Sequence, residues 1–260
     1  MGLFCCPSAR WEAGRPCHEC GVQRHQYGCY RPGGGKRMIE VGGIGWVTAR
    51  EHGCAARGER TGSDDDGSLD RFFRDGLFAY PFKNHGRLDR ASRLTAVGVA
   101  LALRDAGLSY SAEEKQNIGI IGTSDEGSLA SDLLYFKDYA ECGRTLSRAN
   151  LFIYTLPSSA LGEAAIHFGL QGPLLYLTAE RASLQAALET AEEMLELGEA
   201  EAMLAGAVNG QEALYFFLTR AGAGQPNRLG SAREARQKAA KGRTLGDVIQ
   251  QFQRRQKGES

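Results

Sequence analysis

Between residues 38 and 220 the apolar positions alternate between two patterns. Short continuous apolar runs at 39–48, 117–122, 173–178, 201–206 and 212–219 predict five strands, each buried on both faces. From Arg87 to Gly107 the pattern changes: Leu88, Ala91, Leu94, Val97, Leu101 and Leu103 recur near helical spacing, and Gly107 stands where a C-terminal cap belongs. Further helices are predicted over 128–141, over 156–169 with Gly169 as the stop, and over 182–197. The first strand reads as running into a turn at Gly43-x-Gly45, and roughly 30 residues of loop character follow it. Strands alternating with helices imply an α/β fold, with a mainly parallel five-stranded sheet and helices on both of its faces.

Outside this body the pattern changes twice. Ala221-Gly-Ala-Gly-Gln-Pro-Asn227 has the composition of a flexible linker; Ser231 can cap a helix rich in Ala, Glu, Lys and Arg, and Leu245, Val248, Ile249 and Phe252 form a small apolar stripe after it. The expectation for 221–260 is a basic, partly helical tail exposed to solvent, of a kind that can also meet an anionic partner. Residues 1–37 hold five of the seven cysteines (Cys5, Cys6, Cys17, Cys20, Cys29) with His18 and His25, and lack any helical or strand period. Cys17-x-x-Cys20 with Cys29 or a histidine could grip zinc, but one such pair without a second is a weak signature, and no metal site is assigned. The leader is expected to be disordered or untranslated: Gly33-Gly-Gly-Lys36 requires a purine-rich codon run just before Met38, which suits a start there.

Charge sharpens this division. The chain has 31 basic and 31 acidic side chains, yet residues 1–37 carry +4, residues 38–220 carry −10 and residues 221–260 carry +6. Neutrality is thus a sum over three unlike segments. A mean hydropathy of −0.34 and the lack of an apolar run of about 18 residues exclude a transmembrane helix, and the leader has no apolar core of a secretory signal, so the expected location is cytoplasmic. Gly43-x-Gly45 is followed by Thr48 where a dinucleotide fingerprint needs its third glycine, and Asp64-Asp-Asp66 lacks the alternation of a calcium loop; no cofactor is expected. No nucleic-acid motif appears, and nucleic acid is not an expected partner.

Several motifs share one order. Gly43-Ile-Gly45-x-Val47-Thr48 is followed by Asp89-Arg-x-Ser-Arg-Leu94, Ala102-Leu-x-Asp-Ala-Gly-Leu108 and Ile118-Gly-Ile-Ile-Gly-Thr123. Then come Leu156-Pro-x-x-Ala-x-Gly-Glu-x-Ala-Ile166, Phe168-Gly-Leu-x-Gly-Pro173 and Gly198-Glu-Ala-Glu-Ala-Met-Leu-Ala-Gly206. Over residues 39–218 the chain resembles the N-terminal half of a β-ketoacyl synthase, the condensing enzyme of fatty-acid and polyketide synthesis in the thiolase-like superfamily. The resemblance implies a thiolase-like half-fold. It also implies a nucleophilic cysteine on a strand-to-helix turn, where the helix N-terminus favours the thiolate, with two histidines or a histidine and an asparagine supplied by the family's second half.

Here that turn reads Leu177-Thr-Ala-Glu-Arg-Ala-Ser-Leu184, without a cysteine. Matching Thr178-Ala179 to the family's Thr-Ala-Cys puts Glu180 at the nucleophile position; counting between Pro173 and Gly198 puts Arg181 there, and both registers stay open. Cys54 and Cys142 lie in other segments, and His167, near a helix end, reads as structural. The helix after the turn places Leu184, Ala187, Leu188, Ala191, Met194 and Leu195 on one side and Glu189, Glu192, Glu193 and Glu196 on the other; the glutamates read either as a side turned to solvent or as the helix's outer end, and where the apolar side exceeds what the chain can cover, a homodimer or a full-length synthase is the expected cover. The expected role is a catalytically degenerate accessory or scaffold subunit that can meet an acyl carrier protein. Acyl transfer or decarboxylation without a thiol, and a non-catalytic binding module, are the alternatives.

Overall fold

The computed structural model describes residues 38–62, 69–74, 76–145, 148–178, 183–224 and 226–253. The cysteine-rich leader, the Asp64–Asp66 turn, Glu180 and Arg181 lie outside these residues. One mixed sheet forms the centre, with strands β1 (Ile39–Val47), β2 (Glu51–Cys54), β3 (Glu59–Gly62), β4 (Ile118–Thr123), β5 (Leu174–Leu177), β6 (Ala202–Asn209) and β7 (Glu212–Arg220) in the order β3-β2-β1-β7-β6-β4-β5. The helices are α1 (Asp70–Arg74), α2 (Arg90–Asp105), α3 (Leu129–Glu141), α4 (Ala149–Ile153), α5 (Ser159–Phe168), α6 (Ser183–Leu197), α7 (Ala232–Lys241) and α8 (Leu245–Gln253).

All five expected strands are present, and helices cover both faces. Two features of the sheet are corrected. The hairpin β2–β3 extends it to seven strands, and only β4–β5 and β4–β6 pair in parallel, while the other four neighbouring pairs are antiparallel. The hairpin escapes the apolar pattern because β3 at the sheet edge is mostly exposed, so its sequence Glu-Arg-Thr-Gly needs no apolar residues. β6 and β7 are antiparallel because only two residues, Gly210 and Gln211, separate them, too few for the crossover that a parallel pair requires.

The pleat sorts side chains into two cores. On β7, Ala213, Tyr215 and Phe217 join α2 and α5 on one face, while Leu214, Phe216 and Leu218 join α6, α7 and α8 on the other. β6 divides in the same way, Leu204 to the first core and Met203 and Ala205 to the second. Gly43 and Gly45 do not form a turn. They lie inside β1, beyond a register shift between Val41 and Gly43, where α2 crosses the sheet; a Cβ on Gly45 would stand 2.6 Å from Gly98 O, and one on Gly43 2.6 Å from Ala106 N. The helix rides on bare backbone there.

Asp89 caps α2 by accepting from Ser92 N at 2.8 Å, and its other oxygen accepts from Ser131 Oγ of α3 at 2.9 Å. At the far end Asp105 is fully buried and accepts the backbone N–H groups of Ile44, Ala56 and Arg57 at 2.7, 3.1 and 3.1 Å, joining α2 to β1 and to the β2–β3 turn. Burial pushes its carboxyl pKa up, against these three donors.

The segment after β7 is not solvent-exposed along its length. Val41 N donates to Gly230 O and Leu229 N to Val41 O, so the chain returns along β1 before Ser231 caps α7 through Glu234 N. Ala232, Ala235 and Ala239 of α7, with Leu245, Val248, Ile249 and Phe252 of α8, are all buried in the second core. Arg236 of α7 bridges Glu189 and Glu192 of α6 at 2.9 and 3.3 Å. Among the described residues no helix is long and apolar enough to cross a membrane.

Candidate functional site

The parallel trio β6-β4-β5 directs three carboxyl ends to one edge, the place where open α/β sheets bind ligands. β5 ends at this edge with Leu177 and α6 begins there with Ser183, whose Oγ meets Asp125 just after β4, so the positive end of the α6 dipole lies at the same edge. Glu180 and Arg181, the sequence's candidates for the nucleophile position, lie between these two elements and outside the described residues.

The residues flanking the turn form a polar cluster. Asp125, just after β4, accepts from Asn209 Nδ2 at 2.8 Å and from Ser183 Oγ at 3.3 Å, while its own N–H donates to Asn209 Oδ1 at 2.9 Å. Asn209 ends β6 and Ser183 opens α6, so one carboxylate ties three elements together beside the turn. Below it, Thr123 Oγ1 and Tyr176 Oη are buried without a well-formed hydrogen bond, and both line a cavity of about 20 Å³ shared with Thr95, Leu161 and Tyr215. That volume suits a single water molecule. Burial pushes the Tyr176 phenol pKa up.

None of these residues is singled out as a site residue by the sequence motifs, which point to a thiol. Their signal is a change of character: apolar Ile118–Gly122 gives way to Thr-Ser-Asp-Glu, and apolar Ala202–Val208 gives way to Asn209.

The described cysteines lie elsewhere. Cys54 is on β2, and β1, β7, β6 and β4 separate it from β5; its Sγ donates to Leu101 O at 3.4 Å, and burial, then the nearby Asp105 carboxylate, push its thiol pKa up to about 12. Such a thiol is protonated at neutral pH and a poor nucleophile. Cys142 is exposed at the C-terminal cap of α3. His167 sits near the end of α5 in an aromatic cage, stacked on Phe82 at 4.1 Å with Tyr80 at 4.5 Å and Phe168 at 4.9 Å; its Nε2 is buried without a partner, and burial pushes its pKa down to about 4. It is a packing residue, as expected.

Against solved structures the likeness is one of fold. The ishigamide ketosynthase/chain length factor matches with a TM-score of 0.53 and 16% identity, over 75% of this chain and 65% of that one. A β-ketoacyl synthase from Burkholderia phymatum STM815 matches with a TM-score of 0.52 and 17% identity, over 71% and 59%. A type II polyketide acyl-carrier protein in complex with its ketosynthase matches at 0.50 and 14%, over 72% and 59%. Among curated proteins, Nodulation protein E of Rhizobium sp. (strain N33) is 31% identical over 133 residues, half of this chain and 32% of that protein. Nodulation protein E of Rhizobium leguminosarum bv. trifolii is 30% identical over 129 residues, 48% of this chain and 31% of that one. The matched stretch thus spans about a third of the length of these relatives. The model of the β-ketoacyl synthase N-terminal domain matches residues 46–249, from within β1 into α8, and the chain belongs to that family.

Proposed function

We propose that this chain is a catalytically degenerate β-ketoacyl-synthase-like subunit, acting as an accessory or scaffold partner beside a condensing enzyme of fatty-acid or polyketide synthesis. One observation carries the reading: the turn from Leu177 to Leu184, which enters α6 where the family presents its nucleophile, contains no cysteine. A thioester cannot form on that turn, and neither Glu180 nor Arg181 replaces a thiolate that accepts and then releases an acyl group. Cys54 does not substitute for it, being buried and held protonated.

The partners proposed are a second copy or a full-length synthase, together with an acyl carrier protein, in the cytoplasm. Support for association comes from α3 and α4, which leave Leu133, Leu134, Phe136, Phe152 and Ile153 half or more exposed. The test is incubation of the chain with malonyl- and acyl-carrier proteins, read by intact mass and by release of carbon dioxide. Neither acylation nor decarboxylation is expected, while a tagged full-length synthase should retain the chain. Acylation of any residue would overturn the degenerate reading, and decarboxylation without acylation would establish the thiol-free alternative.

A further inference from the structure

A second cluster of charged residues lies away from the β5–α6 turn, between the β2–β3 hairpin, α1 and the end of α2. It encloses a cavity of about 330 Å³ lined by His52, Arg71 and Arg104, with Phe72, Leu77 and Leu101 as apolar wall. A neighbouring cavity of about 320 Å³ shares Leu77 and Arg104 and adds Arg57. Among the described residues lining the two cavities, three guanidiniums face one carboxylate, Glu59, which pairs with Arg104 at 3.0 Å and with Arg57 at 3.9 Å.

Among the described residues, Arg71 is the guanidinium of this cluster without a carboxylate partner. Its guanidinium lies over the Phe72 ring at 4.7 Å, its Nε is buried without an acceptor, and its Nη2 donates to His52 Nδ1 at 3.3 Å. No carboxylate among the described residues is paired with it. His52 is held neutral, its pKa lowered by burial first and then by Arg71 and Arg104, so the imidazole offers a lone pair and no counter-charge. A partly buried guanidinium with no anion among the described residues, lining a cavity beside a second guanidinium, has the chemistry of an oxyanion site.

We propose that this cavity binds a small organic anion, a carboxylate or phosphate carried on a short apolar body, with Arg71 and Arg104 holding the anionic group and Phe72, Leu77 and Leu101 the body. The test titrates the full chain with inorganic phosphate and, separately, with butyrate at constant ionic strength. It follows thermal unfolding and the Nε–H resonances of arginines labelled with ¹⁵N. A saturable stabilisation is expected, with an apparent Kd on the order of 1 mM and a shift of the Arg71 resonance. Arg71→Gln is expected to weaken binding about tenfold or more, whereas the surface substitution Lys137→Gln leaves it unchanged. Tighter binding of butyrate identifies the carboxylate class, tighter binding of phosphate the phosphate class. Stabilisation that does not saturate, an unmoved Arg71 resonance, or binding by the Arg71→Gln and Arg104→Gln variants as tight as that of the unaltered chain overturns the proposal. If Arg71→Gln does not fold, the resonance in the unaltered chain and the Arg104→Gln variant decide the matter.

Discussion

His167 shows how one side chain becomes a liability through its neighbours. In water an imidazole takes its proton near pH 6.5, but in the cage of Phe82, Tyr80 and Phe168 the charged form is desolvated and the pKa falls to about 4. The unfolded chain then binds more protons than the folded one between these values. Stability is therefore full above about pH 6.5 and declines as the pH falls toward 4. His52, also lowered, adds to the slope in the same direction. His167→Phe leaves no buried Nε2 without a partner and keeps a ring against Phe82. The variant is expected to be at least as stable as the parent at pH 5 and to lose less stability between pH 7 and 5, as measured by urea unfolding at each pH. A slope unchanged by the substitution would assign the acid sensitivity elsewhere. That a histidine stands on this helix is plain from the sequence. Its cage is not, because Tyr80 and Phe82 come from a stretch with loop character far along the chain.

Among elements, the crossing of β1 by α2 has the least room. Gly43 and Gly45 look like turn residues in isolation, but they are inside a nine-residue strand, and their missing side chains let α2 approach the sheet. Gly45→Ala would push a methyl group into the α2 backbone, and we expect a loss of about 3 kcal/mol in chemical denaturation, with the fold retained. An effect below about 0.5 kcal/mol would mean that the helix can shift freely. α6 offers a second case. By sequence its glutamates fit a solvent-facing side or an outer end equally well. Glu189 and Glu192 instead meet Arg236 of α7, whose small residues Ala232, Ala235 and Ala239 are buried in the core that α6 shares. The segment expected to hang free therefore supplies part of the cover that α6 was expected to take from another protein. Periodicity identified α7 and α8 as helices but held no information about the surface they would join.

Across the described fold, most of the exposed large apolar side chains lie on α3 and α4, and α6 leaves only Leu197 at its C-terminal end so exposed. Of the 13 residues of α3 only Ser131 is buried, while Phe136 is 66% exposed and Leu133 61%. This is the face through which the proposed association would run. β5 ends the strand order with Leu174 partly exposed, and Ile166 of α5 is 77% exposed. The double substitution Leu133→Glu and Phe136→Glu is expected to abolish association, by itself or with a full-length synthase, in sedimentation velocity while leaving the circular dichroism unchanged. A chain that sediments as a monomer with and without the synthase would remove α3 and α4 as an interface.

Apolar periodicity within the sequence carried the five core strands, the main helices and the α/β class, because each depends on neighbours a few residues apart. The absence of a cysteine from the turn after β5 was equally local. Three things required the folded chain. Strand direction depended on connection length and on where each strand found its partner; the β2–β3 hairpin formed at an edge that needs few apolar residues; and the polar cluster joined Asp125 to Ser183 and Asn209 across separations of 58 and 84 residues. The physical reason is common to all three. Burial along a single element leaves a periodic trace in its own sequence, whereas a contact between distant elements is a property of both surfaces at once and leaves no such trace in either.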